Sequence, residues 1–173
     1  MRSAEVQNVV KVMKILGQFE MGLFGFYTLA RNFWNPGGDF LVPFIQDEVL
    51  HAENLSQMTD RVIRRPDRFM MTRSTDFFSA SAALAGLKNH LHRLEKGELS
   101  KKQILSLSFE MESWLVGFGY ADFLKTDDPE FKNLANEISL QTERHGKILN
   151  QKLEEMKRYR LDPASTIRVT VMA

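Results

Sequence analysis

Proline- and glycine-containing turns divide this chain into long helical blocks, and that division constrains its fold more than any other feature. The turn at residues 35–39 interrupts an apolar pattern of helical period, and proline or glycine ends each of the next two blocks. Ser100 is typical of a helix N-cap, and the acidic residues around Pro129 are typical of a helix start. The sequence therefore predicts five helices, over about residues 4–33, 40–64, 75–95, 100–125 and 126–160.

The lengths of these helices predict how they are arranged. Four of them contain about 25 residues or more, which suits a bundle whose neighbouring helices pack antiparallel through short turns. The first two helices then form one hairpin and the last two form another, with residues 64–100 crossing between them. We therefore predict an all-α fold, a four-helix bundle of two helical hairpins with an additional helical crossover. It forms one domain, residues 1–161, because the chain is too short for two ordinary domains.

Residues 162–173 form a C-terminal tail that is β-prone and lacks a helical period. We expect a frayed terminus here. Docking of the tail on the body of the protein, or on a partner subunit, is the alternative.

Composition and charge exclude several classes of function. The chain has no cysteine, which excludes a disulfide scaffold, a thiolate zinc site and an iron–sulfur cluster that this chain ligates. Its formal net charge of +1 gives no electrostatic reason to expect nucleic acid or an anionic membrane as a partner. We find neither an apolar signal core nor a segment long enough to span a bilayer, so we expect a cytoplasmic protein.

Glu48 and His51 are the most informative side chains. They are three residues apart on a predicted helix, so both leave the same face, one turn apart. A carboxylate and an imidazole that point together into a core are costly unless something compensates them. A metal ion is one such compensation, because it takes both groups as ligands. The rest of that face is apolar and includes Leu41, Phe44, Ile45, Ala52 and Leu55.

Three more residues of these types lie on apolar stripes of other predicted helices. Glu20 lies in the stripe of the first helix, Glu112 in that of the fourth and His145 in that of the fifth. Glu110 is the alternative acid on the fourth helix, but its face is more polar, so we select Glu112. Each acid alone is more often a surface residue or the partner of an arginine. The matched spacing favours a shared site, because Glu20 precedes His51 by 31 residues and Glu112 precedes His145 by 33.

This arrangement resembles the ferritin-like di-metal carboxylate proteins, which take one Glu from each of two helices and a Glu-x-x-His from each of the other two. Within that superfamily it looks most like rubrerythrin. The resemblance covers the four main helices and is carried by Phe19-Glu20 through Tyr27, Glu48-x-x-His51, Glu112 through Tyr120, and residues 126–130 through His145.

The resemblance implies a ferritin-like bundle and an iron site, in which another first-row metal is possible. Glu20 and His51 would ligate one ion, Glu112 and His145 the other, and Glu48 would bridge them. The chain departs from the family pattern at one ligand position, where Thr142 replaces a second bridging glutamate. This departure affects the second ion. These 173 residues also contain no cysteine of the kind that the electron-transfer domain of rubrerythrin uses.

The resemblance implies a non-haem iron oxidoreductase that reduces peroxide or oxidises iron. Because this chain has no second redox centre, electrons would come from a separate donor protein. We expect a homodimer, since such apolar long helices often bury one face on a partner. The alternatives are a non-catalytic structural or interaction protein with a degenerate site, which Thr142 favours, and an iron-storage subunit.

Overall fold

Helices account for most of the protein in the computed structural model, which describes residues 1–74 and 76–161. Within these residues the structure contains five α-helices, two short 3₁₀ helices and two short strands. The prediction of a mainly helical fold is confirmed, whereas the predicted C-terminal tail, residues 162–173, lies outside the described residues. The helices are α1 Ser3–Phe33, α2 Val42–Arg64, α3 Phe77–Glu95, α4 Lys101–Phe118 and α5 Pro129–Leu161, and the strands are β1 Phe69–Met71 and β2 Leu124–Thr126.

The helices pack as two hairpins with one crossover helix. Helix α1 packs along α2, and α4 packs along α5, while contacts between α2 and α5 join the two pairs. Helix α3 lies mainly against α1 and makes few contacts with α4. The first hairpin is therefore α1–α2, the second is α4–α5, and α3 belongs to the crossover that links them.

Local signals fix the helix ends. The connection between α1 and α2 includes a 3₁₀ helix, Gly38–Leu41, after which Pro43 stands in the first turn of α2. The Ser100 hydroxyl accepts a hydrogen bond from the backbone N–H of Gln103, so the predicted N-cap of α4 is confirmed. At the start of α5, the Asp128 carboxylate accepts a hydrogen bond from the N–H of Phe131, at 3.1 Å.

The prediction that the fourth helix continues to about residue 125 is wrong. Helix α4 ends at Phe118, because Gly119 adopts a φ of +71°, which favours glycine and stops the helix. Tyr120 and Phe123 extend the apolar pattern past this point, and both are buried in the connection that follows. Strand β2 then pairs antiparallel with β1, with Met70 opposite Lys125, so a small unpredicted sheet joins the two connections.

The core contains a group of acids and histidines inside an apolar shell. Buried apolar side chains from all five helices form one cluster. Three glutamates and two histidines from four of those helices are buried within it. Within the described residues, every helix is too short or too polar to cross a membrane.

Candidate metal centre

The structure brings together all five residues that the sequence analysis selected. Their side chains are at most 1% exposed, and they come from α1, α2, α4 and α5. They form two triads in which the possible ligand atoms lie within 4.8 Å of one another. Since Glu48 belongs to both triads, its carboxylate lies between two positions that could each hold a metal ion. The triads are Glu20, Glu48 and His51, and Glu48, Glu112 and His145.

Each oxygen of Glu48 lies near a different histidine. Glu48 Oε2 is 3.0 Å from His51 Nδ1, and Glu48 Oε1 is 3.3 Å from His145 Nδ1. His51 Nδ1 is also 3.7 Å from Glu20 Oε2, and His145 Nδ1 is 3.3 Å from Glu112 Oε1. Both histidines therefore direct Nδ1 towards the carboxylates.

The opposite ring nitrogens are held by residues that the sequence analysis did not select. His51 Nε2 is 2.9 Å from Gln141 Oε1, and His145 Nε2 is 3.0 Å from Asp47 Oδ2. Both partner atoms are oxygens that only accept, so in each case Nε2 carries the hydrogen and donates it. In the neutral imidazole, Nδ1 then keeps its lone pair for a metal, an arrangement that is common around metal-binding histidines.

These two partners occupy equivalent positions in the sequence. Asp47 lies four residues before His51, and Gln141 lies four residues before His145, so each partner is one turn from the histidine of its own helix. Each, however, bonds the histidine of the other helix. Asp47 also accepts a hydrogen bond from Arg144, at 2.7 Å.

Two buried tyrosines hold the acids that come from α1 and α4. Tyr27 donates a hydrogen bond of 2.6 Å to Glu112, and Tyr120 donates one of 2.6 Å to Glu20. Each tyrosine thus bonds the acid of the opposite hairpin. Both tyrosines belong to the segments that carry the family resemblance, but the sequence alone predicts no role for either.

The ionisation of the cluster reflects its burial and its charges. Burial, together with the negative charges of Glu112 and Glu20, raises the pKa of Glu48 well above its usual range. For His145, burial acts in the opposite direction, but Glu112 and Glu48 outweigh it and raise the pKa to about 10. Glu20 similarly outweighs burial and raises the pKa of His51. Protons therefore offset the carboxylate charges when no cation does so.

Several buried polar atoms of the cluster have no hydrogen-bond partner among the described residues. A buried oxygen or nitrogen without a partner costs about 1–3 kcal/mol, and more if its group is charged. A cation coordinated at this point would compensate these atoms, and carboxylate oxygen and imidazole nitrogen are ligands that suit first-row metals. The residues present therefore fit a metal ion. The atoms are Glu20 Oε2, Glu48 Oε1, Glu112 Oε2 and His145 Nδ1.

The structure also separates the two acids of α4 and shows the surroundings of Thr142. Glu112 is buried in the cluster, and Glu110 is exposed. Thr142 is buried, but its hydroxyl donates to the carbonyl of Ile138, at 2.9 Å, and lies 3.2 Å from the Tyr120 hydroxyl. Thr142 is thus satisfied by protein groups and belongs to neither triad.

Comparison of this chain with models of protein families, with curated proteins and with solved structures gave no match.

Proposed function

We propose that this protein is a ferritin-like, rubrerythrin-like metalloprotein that binds iron, or another first-row metal, between four helices and catalyses oxidation–reduction. The observation that carries this proposal is the position of Glu48, which both triads share. A carboxylate that belongs to two histidine-containing triads is the arrangement expected for two adjacent ions. The matched hairpins support the same assignment, because each places an acid on its first helix and a histidine on its second.

The ligands follow from the two triads. Glu20 and His51 would bind one ion, Glu112 and His145 would bind the other, and Glu48 would bind both. When bound, two Fe(II) ions would each supply one electron, and these two electrons with two protons break the O–O bond of a peroxide. The electron donor that restores the reduced state would be a separate protein, because the chain has no cysteine for an iron–sulfur or rubredoxin-type centre.

The protein's own groups would orient the ligands and exclude water. Asp47 and Gln141 hold the two imidazole rings through Nε2, so Nδ1 of each ring keeps its direction. Tyr27 and Tyr120 each hold one carboxylate oxygen of an acid. Their two hydroxyl protons lie at the edge of the cluster, and burial is the largest cause of the raised pKa of both phenols, which keeps those protons on oxygen.

Two measurements on the anaerobically loaded protein would test the function. The first is the metal content per chain, for which we expect about two ions in the wild type if both triads are occupied. The second is stopped-flow absorbance after hydrogen peroxide is added to the Fe(II)-loaded protein. We expect the protein-bound iron to be oxidised faster than free iron under the same conditions. An equal rate for bound and free iron would remove the enzymatic proposal.

A second candidate function is a structural or interaction protein on the same scaffold, with one ion or none. The observation that favours it is Thr142, whose hydroxyl is satisfied by Ile138 and Tyr120 without any metal. Metal content separates the candidates when wild type is compared with Thr142→Glu, which restores the missing carboxylate. Two ions in the wild type would reject the structural candidate, whereas a second ion that appears only in Thr142→Glu would favour it.

The oligomeric state separates the enzyme from an iron-storage subunit. We propose a homodimer, and sedimentation equilibrium of the full chain tests this directly. A large hollow cage would instead favour storage.

A further inference from the structure

A groove lined by arginines lies at the end of the bundle where α2 ends and α5 begins. It has a volume of about 450 Å³, and all its lining residues are polar or charged. The five cluster residues are not among them, so the groove is separate from the candidate metal centre. Its arginines come from the last turn of α2 and from the residues that follow, including the 3₁₀ helix Pro66–Arg68. The charged residues of the lining are Arg61, Arg64, Arg65, Arg68, Asp60 and Asp128.

The groove concentrates positive charge. Its four arginines exceed its two aspartates by two charges, whereas the whole chain has a formal net charge of +1. Guanidinium groups stay charged in proteins. Positive groups that line a concave surface together raise the local concentration of anions. The charge of the lining therefore favours an anionic ligand.

Two of the arginines are held in place by a buried carboxylate. Arg61 Nε donates to Asp128 Oδ1 at 3.1 Å, and Arg68 Nη1 lies 3.5 Å from Asp128 Oδ2. Asp128 is buried, and its Oδ1 also accepts from the N–H of Phe131 at the start of α5. Arg68 Nε donates to Asp127 as well, at 2.9 Å. The two guanidinium groups are therefore positioned before any ligand binds, which reduces the entropic cost of ordering them.

These contacts leave most guanidinium donors of the groove unused. Among the described residues, the two Nη atoms of Arg61 and Nη2 of Arg68 have no hydrogen-bond acceptor. Arg64 lies 3.9 Å from Asp60, which is too long for a hydrogen bond, and Arg65 has no ion-pair partner in the same part of the chain. Each guanidinium presents its N–H groups in a planar fork that binds two oxygens of a phosphate group at once.

Arginines in the last turn of a helix ordinarily stabilise its C-terminal carbonyl groups. That role requires neither a groove nor a fixed guanidinium group. Here Arg61 and Arg68 instead bond Asp128, which precedes α5 and belongs to the other hairpin. The arginines thus converge on the space between the two hairpins, where the groove lies.

We propose that this groove binds a compact oxyanion of the phosphate or diphosphate class, with at least two negative charges. Arg64 and Arg65 would bind its outer oxygens, and the unused Nη atoms of Arg61 would bind the oxygens nearest to Asp128. The polar lining does not suit a ligand with a large apolar body, and the volume is within the range of about 300–1,000 Å³ that is typical of small-molecule sites. The inference does not depend on the proposed function.

Calorimetric titration of the full chain with pyrophosphate, in chloride buffer free of phosphate, tests the site. We expect one pyrophosphate to bind per chain, and inorganic phosphate to bind about tenfold more weakly, because it carries less charge and fewer oxygens. Arg64→Gln/Arg65→Gln should weaken pyrophosphate binding about tenfold or more, because it removes two charged donors. The absence of saturable pyrophosphate binding to the wild type would overturn the proposal.

The matched control is Arg93→Gln/Lys96→Gln. It removes the same charge from the last turn and the C-cap of α3, and neither residue lines the groove. We expect this variant to keep the wild-type Kd. Equal weakening in the two double variants would show a response to overall charge and would overturn the groove as the site. An anion at the candidate metal centre would bind equally to both variants, so it would not produce the expected difference.

Two further variants test the geometry and the charge of the groove. Arg64→Lys/Arg65→Lys keeps the charge and removes the planar fork, so we expect pyrophosphate to bind about three- to tenfold more weakly. Asp60→Asn removes a negative charge beside Arg64 and should strengthen binding about threefold. Thermal unfolding shows whether each variant is folded. An unchanged Kd in the folded lysine variant, or weaker binding in Asp60→Asn, would contradict the proposed recognition.

Vesicles distinguish a free anion from the headgroup of a lipid. The protein is sedimented with phosphatidylcholine vesicles that contain phosphatidic acid, and with pure phosphatidylcholine vesicles as the control. We expect it to stay in the supernatant with both, because the exposed carboxylates of Asp60 and Asp127 beside the arginines repel an extended anionic surface. Binding to the phosphatidic acid vesicles without binding of pyrophosphate would overturn the assignment to a free anion.

Discussion

The two hairpins share one plan but contribute unequally to the cluster. Each places a glutamate on its first helix and a histidine on its second. The α1–α2 hairpin adds Glu48 three residues before its histidine, whereas the α4–α5 hairpin has Thr142 at that position. Only the glutamate lies in the triads. The first hairpin thus provides the residue on which both candidate metal positions depend, and the second provides no carboxylate at the equivalent position.

The two hairpins also differ in the group that hydrogen-bonds Nε2 of each histidine. His145 is held by a carboxylate, Asp47, and His51 by an amide, Gln141. A carboxylate increases the basicity of the imidazole that it holds more than a neutral amide does. Through Asp47, the α1–α2 hairpin therefore makes His145 of the other hairpin a more basic ligand. The two candidate metal positions are thus not equivalent, although the two hairpins repeat one plan.

The largest expected effect comes from removing the shared carboxylate. We expect Glu48→Ala to lose metal from both positions, because each triad would keep only one carboxylate and one histidine. Thr142→Ala, the equivalent change in the other hairpin, should retain the metal. The measurement is metal content per chain after anaerobic loading with Fe(II) and gel filtration. Equal losses in the two variants would show that the hairpins contribute equally, contrary to our comparison.

The next expected effect concerns the residues that orient the histidines. We expect Asp47→Ala to reduce metal affinity about 10–100-fold, because His145 then loses the acceptor for its Nε2 hydrogen. Gln141→Ala should reduce it less, because the acceptor that is lost is neutral. Competition with a chromophoric chelator measures both affinities. A larger loss in Gln141→Ala would reverse our ranking of the two positions.

The sequence predicted the helices and missed the sheet, for physical reasons. The helices α1, α2 and α5 are long and periodic, and proline or glycine marks their limits, so local signals suffice. The strands contain three residues each and pair across more than fifty residues of chain, so no local pattern reveals them. The end of α4 was missed because Tyr120 and Phe123 extend the apolar pattern past Gly119, which stops the helix through its backbone conformation.

The five cluster residues were found because each is an ionisable residue in an apolar stripe, and the two hairpins repeat the pattern. Asp47 precedes Glu48 and Gln141 precedes Thr142, so each lies about 100° round the helix from its successor. Each bonds a histidine on the other helix, which only the packing of α2 against α5 determines. Tertiary contacts of this kind leave no periodic signal in one sequence.

The connections within the two hairpins give a third contrast. Asp128, before α5, is buried, accepts from the N–H of Phe131 and pairs with Arg61 at 3.1 Å. Asp39, in the connection between α1 and α2, forms an exposed pair with Arg31. We expect Asp128→Asn to lower the free energy of unfolding by about 2–3 kcal/mol, and Asp39→Asn to lower it by about 0.5 kcal/mol or less. Urea unfolding at neutral pH measures both.

The pH dependence of stability checks the same assignment. Burial opposes ionisation of Asp128, but the Phe131 N–H and Arg61 outweigh it and lower the pKa of the carboxyl. The contribution of the ionised Asp128 carboxylate to the free energy of unfolding is therefore fully present above the ordinary pKa of aspartate, about 3.9. It is lost as the pH falls through the lower pKa that this carboxyl has in the folded protein. Below about pH 4 the wild type should lose stability more steeply than Asp128→Asn. Equal slopes would contradict the role of Asp128.

The smallest expected effect compares the two tyrosines in metal-free protein. The Tyr120 hydroxyl has two side-chain neighbours, Glu20 and Thr142, whereas that of Tyr27 has one, Glu112. We expect Tyr120→Phe to lower the free energy of unfolding by about 1–2 kcal/mol, and Tyr27→Phe by about 1 kcal/mol. The same two changes in a Thr142→Val background should cost equal amounts, because the additional neighbour of Tyr120 is then absent. If the difference persists in that background, the contact with Thr142 does not cause it, and the hairpins differ at the tyrosines for another reason.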